Sequence, residues 1–169
     1  MNRIDQGPYT VKNVKTFRGR EGMGTNCSLY RDGKKIALVD DPATGALYWN
    51  FHFVTEDRRQ QKEDLEEFAK KSLRSAKGKV YLGETFKLMT SGDSLSSTFM
   101  SCICDISDQD KQLKNQCKTK TLVRLSTDEE GGYHIWNCVF SPKNKERVRD
   151  AIFNHHGEVK IEWINEDYA

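Results

Sequence analysis

The chain has 169 residues and a formal net charge of +2, with 36% hydrophobic and 31% charged residues. It carries 3 Trp, 6 Tyr and 8 Phe, whereas disordered chains are poor in aromatic residues, so we expect a folded core. No apolar run approaches the roughly 18 residues of a membrane span, and the first residues lack the apolar stretch of a secretory signal. The five cysteines, an odd number, argue against a disulfide framework. We therefore expect a cytoplasmic protein with no membrane partner.

The N-terminal segment has the pattern of an antiparallel meander. Apolar residues alternate along Tyr9–Phe17, and the alternation slips between Val11 and Val14, which predicts a β-bulge. Asp32-Gly33 is a strong hairpin signal, because this dipeptide suits a two-residue turn. The predicted strands of the meander are 9–17, 26–31 and 34–40.

A fourth strand is predicted over Ala46–Val54. One of its faces is apolar and the other carries His52, a period of two that buries the first face. The residues predicted to enter the core from this strand are Leu47, Trp49, Phe51 and Phe53.

Two main helices are predicted, at about 56–77 and 142–156. The first has an apolar stripe at helical spacing, basic residues in its last turns, and Gly78 as its end. The second begins with Ser141 as its N-cap and Pro142 in its first turn.

The segment between these helices is less regular. Residues 79–89 suit either a strand pair or irregular structure, and residues 90–98 have the composition of a loop. Alternating apolar residues predict a strand over Phe99–Ile106, followed by a helix from Ser107 to about Lys118.

The C-terminal third predicts a hairpin with arms at 122–126 and 133–140, and a last strand that contains Val159, Ile161 and Trp163. The fold class that all these elements define is α+β, with one or two antiparallel sheets packed against the two main helices. The length suits a single compact domain over residues 1–169.

An internal similarity suggests a duplication. Trp49–Phe53 shares three of five residues with Trp136–Phe140, and each copy is the second arm of a predicted hairpin that leads into a helix. We interpret this as a repeated β-hairpin–helix unit, with pseudo-repeat halves at 9–78 and 99–164. Chance and shared structural requirements are the alternative.

A resemblance to a known group covers about the first quarter of the chain, within residues 11–48. It is carried by Val-Lys-Asn-Val-Lys-Thr-Phe-Arg-Gly from Val11, Glu-Gly-Met-Gly-Thr-Asn from Glu21 and Leu-Tyr-Arg-Asp-Gly-Lys-Lys-Ile-Ala from Leu29, followed by Asp40-Asp41. These stretches resemble short proteins encoded by bacteriophages and integrated elements, a group to which no activity is assigned. The resemblance implies a phage accessory protein in the bacterial host cytosol, and such proteins often bind host or defence factors. It carries no functional residue over to this chain.

Two arrangements of cysteine and histidine are candidates for a reactive site. Cys27 and His52 could supply a thiol nucleophile and its base, but the strand alternation puts them on opposite faces. A zinc site could be assembled on paper, but the usual Cys-x2-Cys spacing is absent, and buried cysteines are the commoner explanation. The residues of that zinc set are Cys102, Cys104, Cys117, His134 and Cys138. We therefore predict no catalytic residue, no bound metal and no cofactor.

A glycine-rich loop and two acidic turns offer further alternatives. Gly19–Gly24 could present backbone N–H groups to an anion, although no Walker or dinucleotide-binding motif is present. This loop supports the alternative of a nucleotide or small-ligand sponge, or of an enzyme. The acidic clusters at Asp40-Asp41 and 128–130 are typical of solvated turns.

The distribution of charge is the strongest functional signal. Residues 12–35 carry seven basic and two acidic side chains, and residues 111–124 carry five basic and none acidic. A basic surface near Tyr9, Phe17 and Tyr30 suits a phosphate backbone, and it equally suits an acidic protein surface. Protection of strand edges is the simpler alternative. The predicted binding residues are Lys12, Lys15, Arg18, Arg20, Arg31, Lys34 and Lys35.

Together these observations predict a non-enzymatic phage accessory protein that binds and inhibits a host or defence protein. The first alternative is a nucleic-acid-binding protein that uses the basic region at 12–35. The second alternative is the nucleotide or small-ligand protein with its site at the Gly19–Gly24 loop.

Overall fold

The computed structural model describes residues 3–44, 48–90, 95–129 and 132–168, and it shows the predicted α+β class. The contacts divide these residues into two compact units, an N-terminal unit within 3–108 and a C-terminal unit within 109–168. Within the described part of the chain, no helix is long and apolar enough to cross a membrane.

In chain order, four strands come first, a run of helices follows, and the last third of the chain mixes short strands with two helices. The strands are β1 Tyr9–Arg18, β2 Met23–Arg31, β3 Lys34–Asp41, β4 Asn50–Phe53, β5 Thr121–Leu125, β6 His134–Trp136 and β7 Ile161–Trp163. The α-helices are α1 Arg58–Leu73, α2 Ala76–Leu82, α3 Phe86–Thr90, α4 Leu95–Cys117, α5 Pro142–His156 and α6 Ile164–Asp167, with a 3-10 turn at Gly83–Thr85.

The N-terminal sheet is the predicted antiparallel meander, in the order β1-β2-β3-β4. The predicted bulge is confirmed: the register of β1 against β2 shifts between Lys12 and Lys15, where Asn13 has a φ of 57°. The hairpin at Asp32-Gly33 is confirmed as well, with φ values of 49° and 76°, both in the left-handed region that such turns require. The strand predicted over 46–54 is shorter in the structure, as β4 Asn50–Phe53, and its first two residues, Ala46 and Leu47, lie outside the described residues.

One face of this sheet packs against helices and forms the larger core. Leu29 and Val39 come from the sheet, Leu65 comes from α1, and Phe99 and Ile103 come from α4, and all five are buried. Burial of apolar surface of this kind is the main stabilising contribution to a fold. The helices therefore leave the opposite face of the sheet to solvent.

The first main helix differs from its prediction at both ends. It covers Arg58–Leu73 instead of 56–77, and a second helix follows at once. The reason is Ser75, whose hydroxyl accepts a hydrogen bond from the Gly78 N–H and so caps a new helix. Gly78 therefore lies inside α2 and does not end α1.

The strand predicted over Phe99–Ile106 is wrong, because this segment lies in the N-terminal half of the 23-residue helix α4. The helix predicted from Ser107 to about Lys118 is confirmed as the C-terminal half of the same helix. A helix buried on most sides shows no clean period of 3.6, and its small and apolar residues also satisfy a period of two. Residues 95–100, 102–104 and 106 are all buried, which explains the ambiguity. Residues 79–89, predicted as a strand pair or irregular structure, are helical. The loop predicted over 90–98 is wrong at its described residues, because Thr90 ends α3 and residues 95–98 begin α4, while residues 91–94 lie outside the described part.

The C-terminal unit contains a three-stranded antiparallel sheet in the order β6-β5-β7, with α5 packed on it. The predicted hairpin is confirmed, although β6 ends at Trp136. The predicted helix is confirmed with its cap, because the Ser141 hydroxyl accepts a hydrogen bond from the Asn144 N–H. Val123, Val148 and Ile152 form the centre of its core.

Both copies of the predicted β-hairpin–helix unit are present, as β3–β4–α1 and β5–β6–α5. The two tryptophans differ in setting, since Trp49 is buried and precedes β4, whereas Trp136 is half-buried within β6. A common origin of the two units stays a prediction.

Candidate functional site

The exposed side of the N-terminal sheet is a surface built from three rows of side chains, which we name the open face. Residues that pair across antiparallel strands share a face, so the register defines each row. The rows are Thr10–Tyr30–Lys35, Lys12–Ser28–Leu38–His52 and Lys15–Asn26–Asp40–Asn50. Their neighbours along each strand, such as Leu29 and Val39, point into the core.

The open face collects three of the seven predicted binding residues, one in each row. Lys12, Lys15 and Lys35 are exposed there, and Asp40 is the single carboxylate among the eleven residues. The surface therefore has a net positive charge although the whole chain is nearly neutral.

Two aromatic rings lie beside these lysines. The Lys12 Nζ lies 4.7 Å from the centre of the Tyr30 ring, a cation–π contact. Phe17 continues the alternation of β1 beyond Lys15 and rests on Gly24, where an added Cβ would come within 2.5 Å of the ring. Tyr9 is buried and contributes nothing to this surface, although its ring lies near Arg31 on the core side.

The Asp40 carboxylate is held by its neighbours on β4. Its Oδ2 accepts a hydrogen bond of 2.9 Å from Asn50 Nδ2, and its Oδ1 lies 3.1 Å from His52 Nε2. A shallow depression of about 400 Å³ lies beside this group and extends to Lys15 and Ser28. The sheet thus presents a cation, an amide, a carboxylate and an imidazole around this depression, with Ser28 buried at its base.

Arg31 does not lie on the open face, and its side chain makes contacts that stabilise the fold. Its guanidinium forms an ion pair with Asp64 on α1, donates to Gln61 Oε1 at 3.3 Å, and stands 5.8 Å from the centre of the Tyr9 ring. The hydrogen bond from Arg31 holds the pKa of the Asp64 carboxyl below its ordinary value. Lys34 pairs with Arg31 across the hairpin and is exposed.

Two backbone N–H groups of the glycine-rich loop donate hydrogen bonds to carbonyl groups of the protein. The Gly19 N–H donates to the Gly22 carbonyl at 2.8 Å, and the Glu21 N–H donates to the Ala43 carbonyl at 3.2 Å. These two donors are therefore not available to an anion. Arg18 precedes the loop and Arg20 lies within it, and both are exposed.

The two candidate reactive sites considered from the sequence, the Cys27–His52 pair and the zinc set, are not brought together among the described residues. Cys27 is buried beneath the sheet and His52 is exposed above it, so thiol and imidazole lie on opposite faces. Among the described residues, no group of three or more His, Cys, Asp or Glu side chains is placed to hold a metal ion. His134 instead contacts Asp128 Oδ1 at 2.9 Å, and the pKa of Asp128 is lowered mainly by a hydrogen bond from the Leu125 N–H.

The second basic segment, at 111–124, is partly used in local contacts. Arg124 forms an ion pair with Glu162 at 3.1 Å and donates to the Gly132 carbonyl, and Lys118 donates to Asn115. A depression of about 290 Å³ lies in the same unit, lined by Lys114, Cys117, Lys118, Phe140, Asn165 and Tyr168. Asn165 bonds the backbone of Cys117, Lys120 and Leu122. Three of its polar side chains therefore have partners within the protein: Lys118 donates to Asn115, Asn165 bonds the backbone, and the Tyr168 hydroxyl donates to Asp110.

Sequence reasoning missed two arrangements. The contact of Asp40 with His52 and Asn50 depends on the register of β3 against β4. The sulfur atoms of Cys27 and Cys104 lie 3.9 Å apart, a contact that depends on α4, where the sequence predicted a strand. The alternation of each strand gave the correct face for Cys27 and for His52, but not their partners.

Comparisons of the chain with protein-family models, with curated proteins and with solved structures found no match.

Proposed function

We propose that the protein binds single-stranded nucleic acid through the open face of its N-terminal sheet. The observation that carries the proposal is the grouping of Lys12, Lys15 and Lys35 with Tyr30 and Phe17 on one exposed sheet face. Lysines neutralise the phosphates of a single strand, and aromatic rings stack with its unpaired bases.

The geometry favours a single strand over a duplex. A sheet face with separated lysines and rings suits bases that are splayed out, whereas duplex recognition commonly places a helix in the major groove. The exposed amide of Asn26 lies between the lysines, where it can donate to base edges, and the Asn50 amide beside it donates one hydrogen bond to Asp40. The Lys12–Tyr30 contact brings a positive charge next to a stacking ring.

The test is a fluorescence-anisotropy titration with short labelled single-stranded DNA and RNA of mixed sequence. The variant Lys12→Gln/Lys15→Gln/Lys35→Gln should bind at least about tenfold more weakly, because three phosphate contacts are lost. The control Lys34→Gln/Lys70→Gln/Lys71→Gln removes the same charge from exposed residues outside the open face. It should retain affinity within about twofold. Absence of binding by the unaltered protein, or equal loss in both variants, would overturn the proposal.

A second candidate is the phage accessory protein that binds and inhibits a host or defence protein. It is favoured by Leu38, which lies within the open face with 47% of its surface exposed, next to the Asp40 carboxylate. An apolar centre suits a protein interface, and a carboxylate repels phosphate. The resemblance to phage proteins supplies the expected setting.

A pull-down from bacterial lysate, with and without nuclease, separates the two candidates. A protein that stays bound after nuclease treatment, and is lost with Leu38→Ser, supports the inhibitor. Val80→Ser is the matched control, since Val80 is a similarly exposed apolar residue on α2. Loss of all bound material on nuclease treatment supports nucleic acid.

A further inference from the structure

A pair of buried thiols joins the N-terminal sheet to the helix that covers it. Cys27 lies on β2 and Cys104 on α4, 77 positions apart in the chain. Their sulfur atoms are 3.9 Å apart, and the Cys104 thiol donates a hydrogen bond to Cys27 Sγ. Cys27 is 4% exposed and Cys104 is 5% exposed, so the two thiols contact each other and are largely shielded from solvent.

We propose that Cys27 and Cys104 are a site of oxidative modification, at which a small peroxide converts the two thiols to a disulfide between sheet and helix. The inference is independent of the proposed function, because both side chains lie beneath the sheet. A disulfide has a sulfur–sulfur distance of about 2.05 Å, so the two sulfurs must approach by about 2 Å.

The reaction balances with peroxide as the oxidant. The thiolate of one cysteine attacks a peroxide oxygen, the oxygen–oxygen bond breaks, and hydroxide leaves with a proton to form water. The resulting sulfenic acid is attacked by the second thiol, which forms the sulfur–sulfur bond and releases a second water. Two thiols lose two electrons and two protons, and one peroxide becomes two waters.

The surroundings of the two thiols determine how fast they are oxidised and which product forms. The hydrogen bond to Cys27 and burial raise the pKa of the Cys104 thiol, so its thiolate is scarce and oxidation is slow at neutral pH. Once a sulfenic acid forms, the partner sulfur is already in contact with it. Closure to the disulfide should therefore precede further oxidation to sulfinic acid.

The product should stabilise the N-terminal unit. A bridge across 77 positions restricts the unfolded chain strongly, provided that the folded geometry accepts it. The midpoint of thermal unfolding should rise by about 5 °C or more. The open face lies on the other side of β2, so nucleic-acid affinity should change less than about twofold.

The experiment is oxidation of the full-length protein by hydrogen peroxide, followed by intact mass and peptide mapping. We expect loss of two hydrogen atoms, a linked peptide containing Cys27 and Cys104, reversal by dithiothreitol, and a faster reaction at about pH 9 than at about pH 7. Cys27→Ala and Cys104→Ala should each abolish the linked product. Cys102→Ala should retain it, since Cys102 is a buried thiol on the same helix.

Three results would overturn the inference. Each can be read from peptide mapping of the unaltered protein, so the test holds even if a variant fails to fold. One is addition of oxygen at Cys27 or Cys104 without a cross-link. Another is a linked peptide that contains Cys102 in place of Cys104. A third is an unchanged mass under conditions that oxidise an unfolded control of the same chain.

Discussion

Arg31 is a basic residue of the predicted binding segment that the fold itself uses. Its guanidinium connects the end of β2 to Asp64 and Gln61 on α1 and stands over the Tyr9 ring. The charge pattern cannot distinguish such a residue from Lys12 or Lys35, because the distinction depends on which face of the strand it occupies. Alternation from the buried Leu29 places Arg31 on the core side of β2, whereas the extra residue Ile36 on β3 places Lys35 on the open face.

The ion pair predicts a pH dependence of stability that Arg31 controls. The pKa of Asp64 is lowered in the folded protein, so its contribution to stability is complete above the ordinary carboxyl pKa of about 4 and is lost as the pH falls through the folded value. Arg31→Met should lower the unfolding midpoint most at neutral pH, and the difference from the unaltered protein should shrink towards about pH 3.

Thermal unfolding followed by circular dichroism between about pH 3 and pH 7 measures this difference. Arg59→Met is the control, since Arg59 pairs with Glu63 on the same helix but is almost fully exposed. Exposed pairs contribute little, so this variant should follow the unaltered protein at every pH. A gap for Arg31→Met that is constant with pH would contradict the role of the ion pair.

At the scale of elements, the first turn of α2 packs closely against the end of α1 at Gly78. A Cβ at this position would lie 2.2 Å from the Leu73 carbonyl oxygen, which is backbone of α1. Gly78→Ala should therefore destabilise the protein by about 1–3 kcal/mol, although alanine is favoured in helices by about 1 kcal/mol. Urea unfolding measures the change, and Lys79→Ala, one exposed position further, should stay within about 0.5 kcal/mol. Stabilisation by Gly78→Ala would show that no such contact exists.

The N-cap of α5 gives a second prediction for an element. The Ser141 hydroxyl accepts the Asn144 N–H at 3.3 Å and supplies one partner that the first turn lacks. Ser141→Ala should cost about 1 kcal/mol of unfolding free energy, whereas Ser141→Thr should retain most of it. Equal loss in both variants, measured by urea unfolding, would assign the effect to packing and not to the cap.

The elements that could be predicted from the sequence are those whose signals are local. The bulge near Asn13, the turn at Asp32-Gly33 and the cap at Ser141 each depend on a few adjacent residues, and all three are confirmed. The N-terminal half of α4 could not be predicted, because its burial on most sides comes from tertiary packing and hides its period, whereas the C-terminal half was predicted as the helix from Ser107. The candidate site was predictable in composition only, since its rows depend on long-range register.

At the scale of the whole molecule, the net charge of the chain and the charge of the open face predict different affinities for nucleic acid. The chain has 27 basic and 25 acidic residues, so its long-range field is weak. Nucleic-acid binding would therefore depend on the three lysines that the sheet brings together, and not on the charge of the protein as a whole. Removal of acidic residues elsewhere should change affinity little once salt exceeds about 0.1 M, where the Debye length is about 10 Å.

This distinction predicts the salt dependence of binding. Each phosphate neutralised on a single strand contributes about −0.7 to the slope of log affinity against log salt, so three lysines give a slope of about −2. Anisotropy titrations at several salt concentrations should show this slope for the unaltered protein and for Lys34→Gln, and about −1.4 for Lys35→Gln alone. A slope near zero with intact affinity would mean that stacking or hydrogen bonds carry the binding. A slope much steeper than −2 would require phosphate contacts beyond the open face, for which the basic segment at 111–124 is the next region to mutate.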